Sequence, residues 1–102
     1  MAAKKILLDI LTEFTSNLIH KAVLTVDGVE KEYDIFRTHV ENGTVKKFIY
    51  LSHASGTVTS GRLIDKQMRT LIFDNCNITQ SEDGLLVLFE IRISIKGGIV
   101  SE

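Results

Sequence analysis

Leu85-Leu-Val-Leu-Phe-Glu-Ile-Arg-Ile-Ser-Ile-Lys96 is the stretch that decides the fold. Its odd positions, Leu85, Val87, Phe89, Ile91, Ile93 and Ile95, are all apolar, while Glu90, Arg92, Ser94 and Lys96 alternate with them. Successive side chains of a strand point to opposite faces, so the segment reads as a long strand buried on one side. Its other side is solvated over the second half. Leu86 and Leu88 interrupt the polar face near the start, where something further packs. We place this strand over 85–95, at the centre of an antiparallel sheet.

Working back from that strand, most of the chain keeps a period of two. Ala22–Val26 reads as a strand ending in Asp27-Gly28, a strong two-residue hairpin signal. Val29–Val40 alternates loosely, and Asn42-Gly43 marks a second hairpin before Val45–Ser52. Thr57–Ile64 and Arg69–Phe73 are further strands, joined at Asp65-Lys66-Gln67 by a turn whose lack of glycine favours type I geometry. Proline is absent, which removes the usual blocker of exposed strand edges.

The N-terminal segment has a different period. Leu7, Ile10, Leu11, Phe14 and then Leu18 recur at three- and four-residue steps, one apolar stripe of a helix. Thr15-Ser16-Asn17 is poor helix material and ends the element, so the helix is placed at about 3–16. Its stripe is expected to cover the odd-numbered face of the strand over 85–95. The fold class is therefore α+β: an N-terminal helix, then an antiparallel sheet or partly closed barrel of about six or seven strands over about 20–97.

Composition agrees with a single domain over 1–102. Apolar residues are 44% and charged residues 25%, ordinary values for a globular chain and wrong for collagen, coiled coil or disorder. The formal charge of -1 gives no general attraction to nucleic acid or acidic membranes. The longest apolar run, Leu85–Phe89, is far short of the roughly 20 residues that span a bilayer. Asp9 and Glu13 break the apolar stretch that an export signal requires. Cys76 stands alone, excluding an internal disulfide and suiting a reducing compartment. The expected location is the cytoplasm.

No group of residues has the spacing of a catalytic, cofactor or metal site. His20, His39 and His53 lie far apart, without HExxH, CxxC or a calcium loop. Cys76 follows Phe73-Asp74-Asn75 in a context matching no thiol enzyme, and reads as a small inward-facing residue. Ser55-Gly-Thr-Val-Thr-Ser-Gly61 runs into Arg62 and a strand, so it is no phosphate loop. The sequons at Asn42 and Asn77 carry weight only in an exported chain, and Asn42 suits the positive φ of its turn. We therefore expect no enzyme, no cofactor and no small-molecule substrate.

Two surfaces remain as candidates for binding. Ile6 and Leu8 widen the helix's apolar surface beyond what one sheet face needs, and Leu86 and Leu88 leave the sheet with uncharged apolar positions. These four suit self-association in a homo-oligomer. Lys46, Lys47 and Arg62, with Phe48 and Tyr50, offer a basic and aromatic face resembling a stacking platform for single-stranded nucleic acid. Asp65 and the neutral net charge argue against that alternative.

The cadence of Lys47-Phe-Ile-Tyr-Leu51, Gly56-Thr-Val58, Arg62-Leu-Ile-Asp-Lys-Gln-Met-Arg-Thr-Leu71 and Glu82-Asp-Gly-Leu-Leu-Val-Leu-Phe89 resembles small phage or prophage proteins from tail gene modules of viruses of Gram-positive bacteria. The likeness covers about half of the chain and brings no catalytic or binding residues with it. It implies a non-enzymatic virion or assembly protein, in the bacterial host cytoplasm or the virion, that contacts copies of itself and other proteins of an assembly.

Overall fold

The computed structural model describes residues 5–52, 56–79 and 84–95. One helix, α1 (Lys5–Leu18), precedes seven strands: β1 (Lys21–Val26), β2 (Val29–Asp34), β3 (Arg37–Glu41), β4 (Thr44–Leu51), β5 (Thr57–Ile64), β6 (Thr70–Thr79) and β7 (Leu85–Arg92). All pairings are antiparallel and form two sheets, β2-β1-β5-β6 and β3-β4-β7. The architecture is α+β; among the described residues the two sheets stay open and do not close into a barrel.

The hairpin signals act as expected. Asp27 and Gly28 take φ of 52° and 81°, and Asn42 and Gly43 take 46° and 81°. Two consecutive positive φ values are what a two-residue turn needs to match the twist of its strands. The third turn closes through a Met68 N–H to Asp65 carbonyl bond of 3.0 Å, with Met68 in the left-handed region.

Several boundaries differ from the sequence expectation. Val29–Val40 divides at Ile35-Phe36 into β2 and β3, which belong to different sheets. There the Phe36 N–H donates to the Phe48 carbonyl at 2.7 Å, turning the chain from one layer into the other. β6 continues well past Phe73, because β5 supplies backbone partners through a bulge opposite Thr59 that outweigh the poor strand preference of Asn75 and Asn77. β7 ends at Arg92 and lies at the edge of its sheet, not at the centre. The central place belongs to β4, since the tight Asn42-Gly43 hairpin delivers β3 to the edge that β7 leaves free.

The core lies between the sheets. Leu24, Val58 and Leu63 from one sheet meet Ile49, Leu51, Val87 and Phe89 from the other. The odd-numbered face of β7 is thus the buried one, but what covers it is the four-stranded sheet and not the helix stripe. Gly61 gives the ring of Phe89 its room, since a Cβ there would lie 2.8 Å from the Phe89 Cζ and 2.7 Å from Leu24 Cδ2.

The helix is turned the other way from the sequence expectation. It runs to Leu18 and packs on β3 and β4 through Leu8, Thr12, Ser16 and the adjoining Ile19. The cause is Lys47, whose side chain points inward beside Val45 and Ile49 and is 5% exposed. Its ammonium needs oxygen acceptors, and it finds the Ser16 and Thr38 hydroxyls, each at 3.0 Å. Thr12 and Thr15 remain helical by donating to the carbonyls of Leu8 and Leu11. Helix and four-stranded sheet therefore lie side by side on the inner face of the three-stranded sheet, in a molecule 54 Å long and 28 by 25 Å across.

Candidate interaction surfaces

Turning the hydroxyl face of α1 inward leaves its apolar stripe outside. Ile6 is 69% exposed, Ile10 59% and Phe14 56%, with Leu7, Leu11 and Leu18 also in solvent, whereas Thr12 is 1% exposed. At 3.6 residues per turn, Ile10 and Phe14 project about 160° from Thr12 and Ser16 respectively, so the stripe points away from the three-stranded sheet. On its flank lie Asp9, paired with Lys5 at 2.8 Å, and Glu13, which makes no ion pair among the described residues.

A second apolar surface lies on the opposite side of the molecule. The even positions of β4 and β7 face outward, pairing Phe48 with Leu88 and Tyr50 with Leu86. Tyr50, Leu86 and Leu88 are exposed, and Phe36 adds its ring at 5.6 Å from that of Tyr50. Arg37 stands over the Phe36 ring at 5.8 Å. Toward the other end the same face turns polar: His39 bonds Glu41 at 3.0 Å, Lys46 pairs across the ladder with Glu90, and Arg92 meets Glu90 at 3.3 Å. The His39 hydrogen bond and charge, followed by Lys46, hold the Glu41 carboxyl below the usual range.

The residues named for self-association are distributed over both surfaces. Ile6 lies on the exposed helix stripe, and Leu86 and Leu88 lie on the outer sheet face. Leu8 is half-buried against the β3–β4 turn, close enough that a Cβ on Gly43 would lie 3.2 Å from its Cδ1. Periodicity assigns Leu7, Ile10, Leu11, Phe14 and Leu18 to the core, but they lie outside with Ile6. The signal for this was Leu8, Thr12, Ser16 and Ile19, a second stripe at helical spacing whose hydroxyls match an inward lysine. Phe36 carries no such signal, since nothing local in the sequence marks the corner that projects it.

The five residues of the nucleic-acid alternative do not share one face. Lys46, Phe48 and Tyr50 lie on the outside of the three-stranded sheet, while Lys47 points inward. Arg62 lies on the four-stranded sheet, bonded to Glu30 at 3.3 Å and to the Thr70 hydroxyl at 2.9 Å.

Polar side chains elsewhere serve the fold. Asp65 accepts from the N–H groups of Gln67 and Arg69, both at 2.9 Å, and from the Arg69 guanidinium at 2.6 Å. Burial raises its pKa, but the Arg69 and Gln67 hydrogen bonds and the Arg69 charge outweigh that and hold the carboxyl below its ordinary value. Cys76 lines a crevice of about 260 Å³ between β6 and β7 and contacts the Val58 carbonyl at 3.4 Å. Burial, then Asp74, pushes its thiol up, so sulfur keeps its proton. His20, just before β1, donates its backbone N–H to the Ile64 carbonyl; His53 and Ser55 lie outside the described residues. Among the described residues no three His, Cys, Asp or Glu gather as metal ligands, and no helix is long and apolar enough to cross a membrane.

No family model matches the chain, and comparison with curated proteins and with solved structures likewise returns no match.

Proposed function

We propose that this chain is a non-enzymatic structural or protein-interaction protein that contacts copies of itself and other proteins of an assembly, such as a phage tail or virion-assembly component. It acts in the bacterial host cytoplasm or in the virion. The observation that carries the reading is the orientation of α1. A helix that buries Thr12 and Ser16 and exposes Ile6, Ile10 and Phe14 has its apolar face free for a partner. The resemblance of the cadence between Lys47 and Phe89 to tail-module proteins supplies the kind of assembly. Light scattering at micromolar protein tests it: a mass above one chain is expected, and a single-chain mass at every concentration overturns it. The alternative, a small nucleic-acid-binding module, draws on the Phe36–Tyr50 ring pair beside Arg37 and Lys46. Binding to single-stranded oligonucleotides that falls steeply with added salt would favour it.

A further inference from the structure

Resting on that reading, we infer that the contact between copies is head-to-tail: the exposed stripe of α1 from one copy seats on the outer face of the three-stranded sheet of the next. Size is the first argument. The six stripe residues together expose about three large side chains' worth of apolar surface, on the order of 450 Å². Phe36, Tyr50, Leu86 and Leu88 expose about two more, on the order of 300 Å². Interfaces are roughly 60% apolar, so joining the two patches buries about 1,200 Å² in all, which reaches the range of specific, stable contacts.

Geometry and charge then choose between arrangements. The helix lies on the inner face of β3 and β4, and its stripe points away from them; the Phe36–Leu88 patch is on the outer face of the same sheet. The two patches therefore face in opposite directions, and no copy can satisfy its own. A symmetric pairing of two α1 helices would cover the stripe and leave the sheet patch in water. A head-to-tail contact covers both with one kind of interface, and repeats into a ring or filament. Among the described residues Glu13 beside the stripe makes no ion pair, and neither does Arg37 beside the sheet patch, so charges of opposite sign meet across the contact.

Two exposed substitutions separate the possibilities by sedimentation velocity on the full chain. Phe14→Glu blocks the stripe and Leu88→Glu blocks the sheet patch, and far-UV circular dichroism checks that each variant keeps its fold. We expect the native chain to form species larger than two copies as its concentration rises, and each variant alone to stay single, with association weakened about a hundredfold or more. Mixed together, the variants should form a dimer of one copy of each and stop there, because only one good pair of surfaces remains. An Arg37→Glu variant should weaken association, and Glu13→Lys in the other copy should restore part of it. If Leu88→Glu alone still forms dimers that Phe14→Glu abolishes, the contact is a symmetric helix pair and the head-to-tail proposal fails while self-association stands. A native chain that is single at every concentration overturns both.

Discussion

The Lys47 ammonium on β4 donates to the Ser16 hydroxyl of α1 at 3.0 Å, and this polar contact seats the helix on the sheet. Among the described residues no carboxylate pairs with Lys47, so the two hydroxyls of Ser16 and Thr38 are its partners. The exposure of the α1 stripe follows from that contact. Rotating α1 to bury Ile10 and Phe14 would leave an ammonium facing hydrocarbon, a far larger penalty than leaving the stripe in water.

Ser16→Ala should therefore destabilise the fold by about 1–3 kcal/mol, the usual loss when a hydrogen bond to a charged group is removed from a buried site. Urea denaturation at low protein concentration reads it. Lys47→Met should cost less than Ser16→Ala, because it removes the buried charge with its need for acceptors and leaves the Ser16 hydroxyl able to turn back to the carbonyl four residues earlier, as Thr12 and Thr15 do.

The same lysine makes a pH signature. Burial holds the folded pKa of Lys47 below the unfolded value of about 10.4. Between those two values the unfolded chain binds more protons than the folded one, so stability rises with pH through that window. Lys47→Met should abolish this alkaline rise in a series of thermal melts.

Asp65 works in the opposite part of the scale. Arg69 and Gln67 hold its folded pKa below that of the unfolded chain, so its contribution is fully present above the unfolded value of about 3.9. That contribution is lost as pH falls through the folded value. Asp65→Asn should lower the melting temperature at pH 7 and flatten the acid limb of the stability profile. An unchanged acid limb would show that other carboxylates set it.

Leu8 and Ile10 distinguish the helix seen in the structure from the one suggested by periodicity. Leu8 packs on the Gly43 turn, and Leu8→Ala should cost about 1–2 kcal/mol, less than a fully buried leucine. Ile10 projects into solvent, and Ile10→Ala should stay within about 0.5 kcal/mol at concentrations where copies are apart. The reverse order would place the stripe in the core.

Period and turn chemistry are local properties, and for that reason the helix, the Asp27-Gly28 and Asn42-Gly43 hairpins and the buried face of β7 were legible from the chain. What was not legible depends on pairs distant in sequence. The orientation of α1 rests on Lys47 meeting Ser16, and the hydrophobic periodicity of 5–18 carries no trace of an inward lysine thirty-one residues on. Likewise, β7 has the pattern of a central strand but lies at an edge, because hairpin β3–β4 occupies the other side of β4. The dispersal of Lys46, Lys47 and Arg62 has the same origin: even and odd positions of one strand face opposite ways, and a sheet boundary separates the third.

The stacking of the two sheets makes its own quantitative expectation at Gly61 and Phe89. The ring of Phe89 from the three-stranded sheet reaches the backbone of Gly61 in the four-stranded one, where a Cβ would lie 2.8 Å from its Cζ. Phe89→Ala should cost about 3–5 kcal/mol, as transfer and cavity contributions add. Gly61→Ala should cost about 1–3 kcal/mol through overpacking against Leu24 and the ring. Phe89→Leu trims the ring atom that a Cβ at Gly61 would strike. Gly61→Ala should therefore cost less in the Phe89→Leu background than in the native one, with a coupling of at least about 0.5 kcal/mol. Part of the Gly61→Ala penalty will remain, because Leu24 Cδ2 is as close as the ring. Costs that simply add would mean that the two side-chain positions do not touch, and that these sheets do not face each other across Gly61 and Phe89.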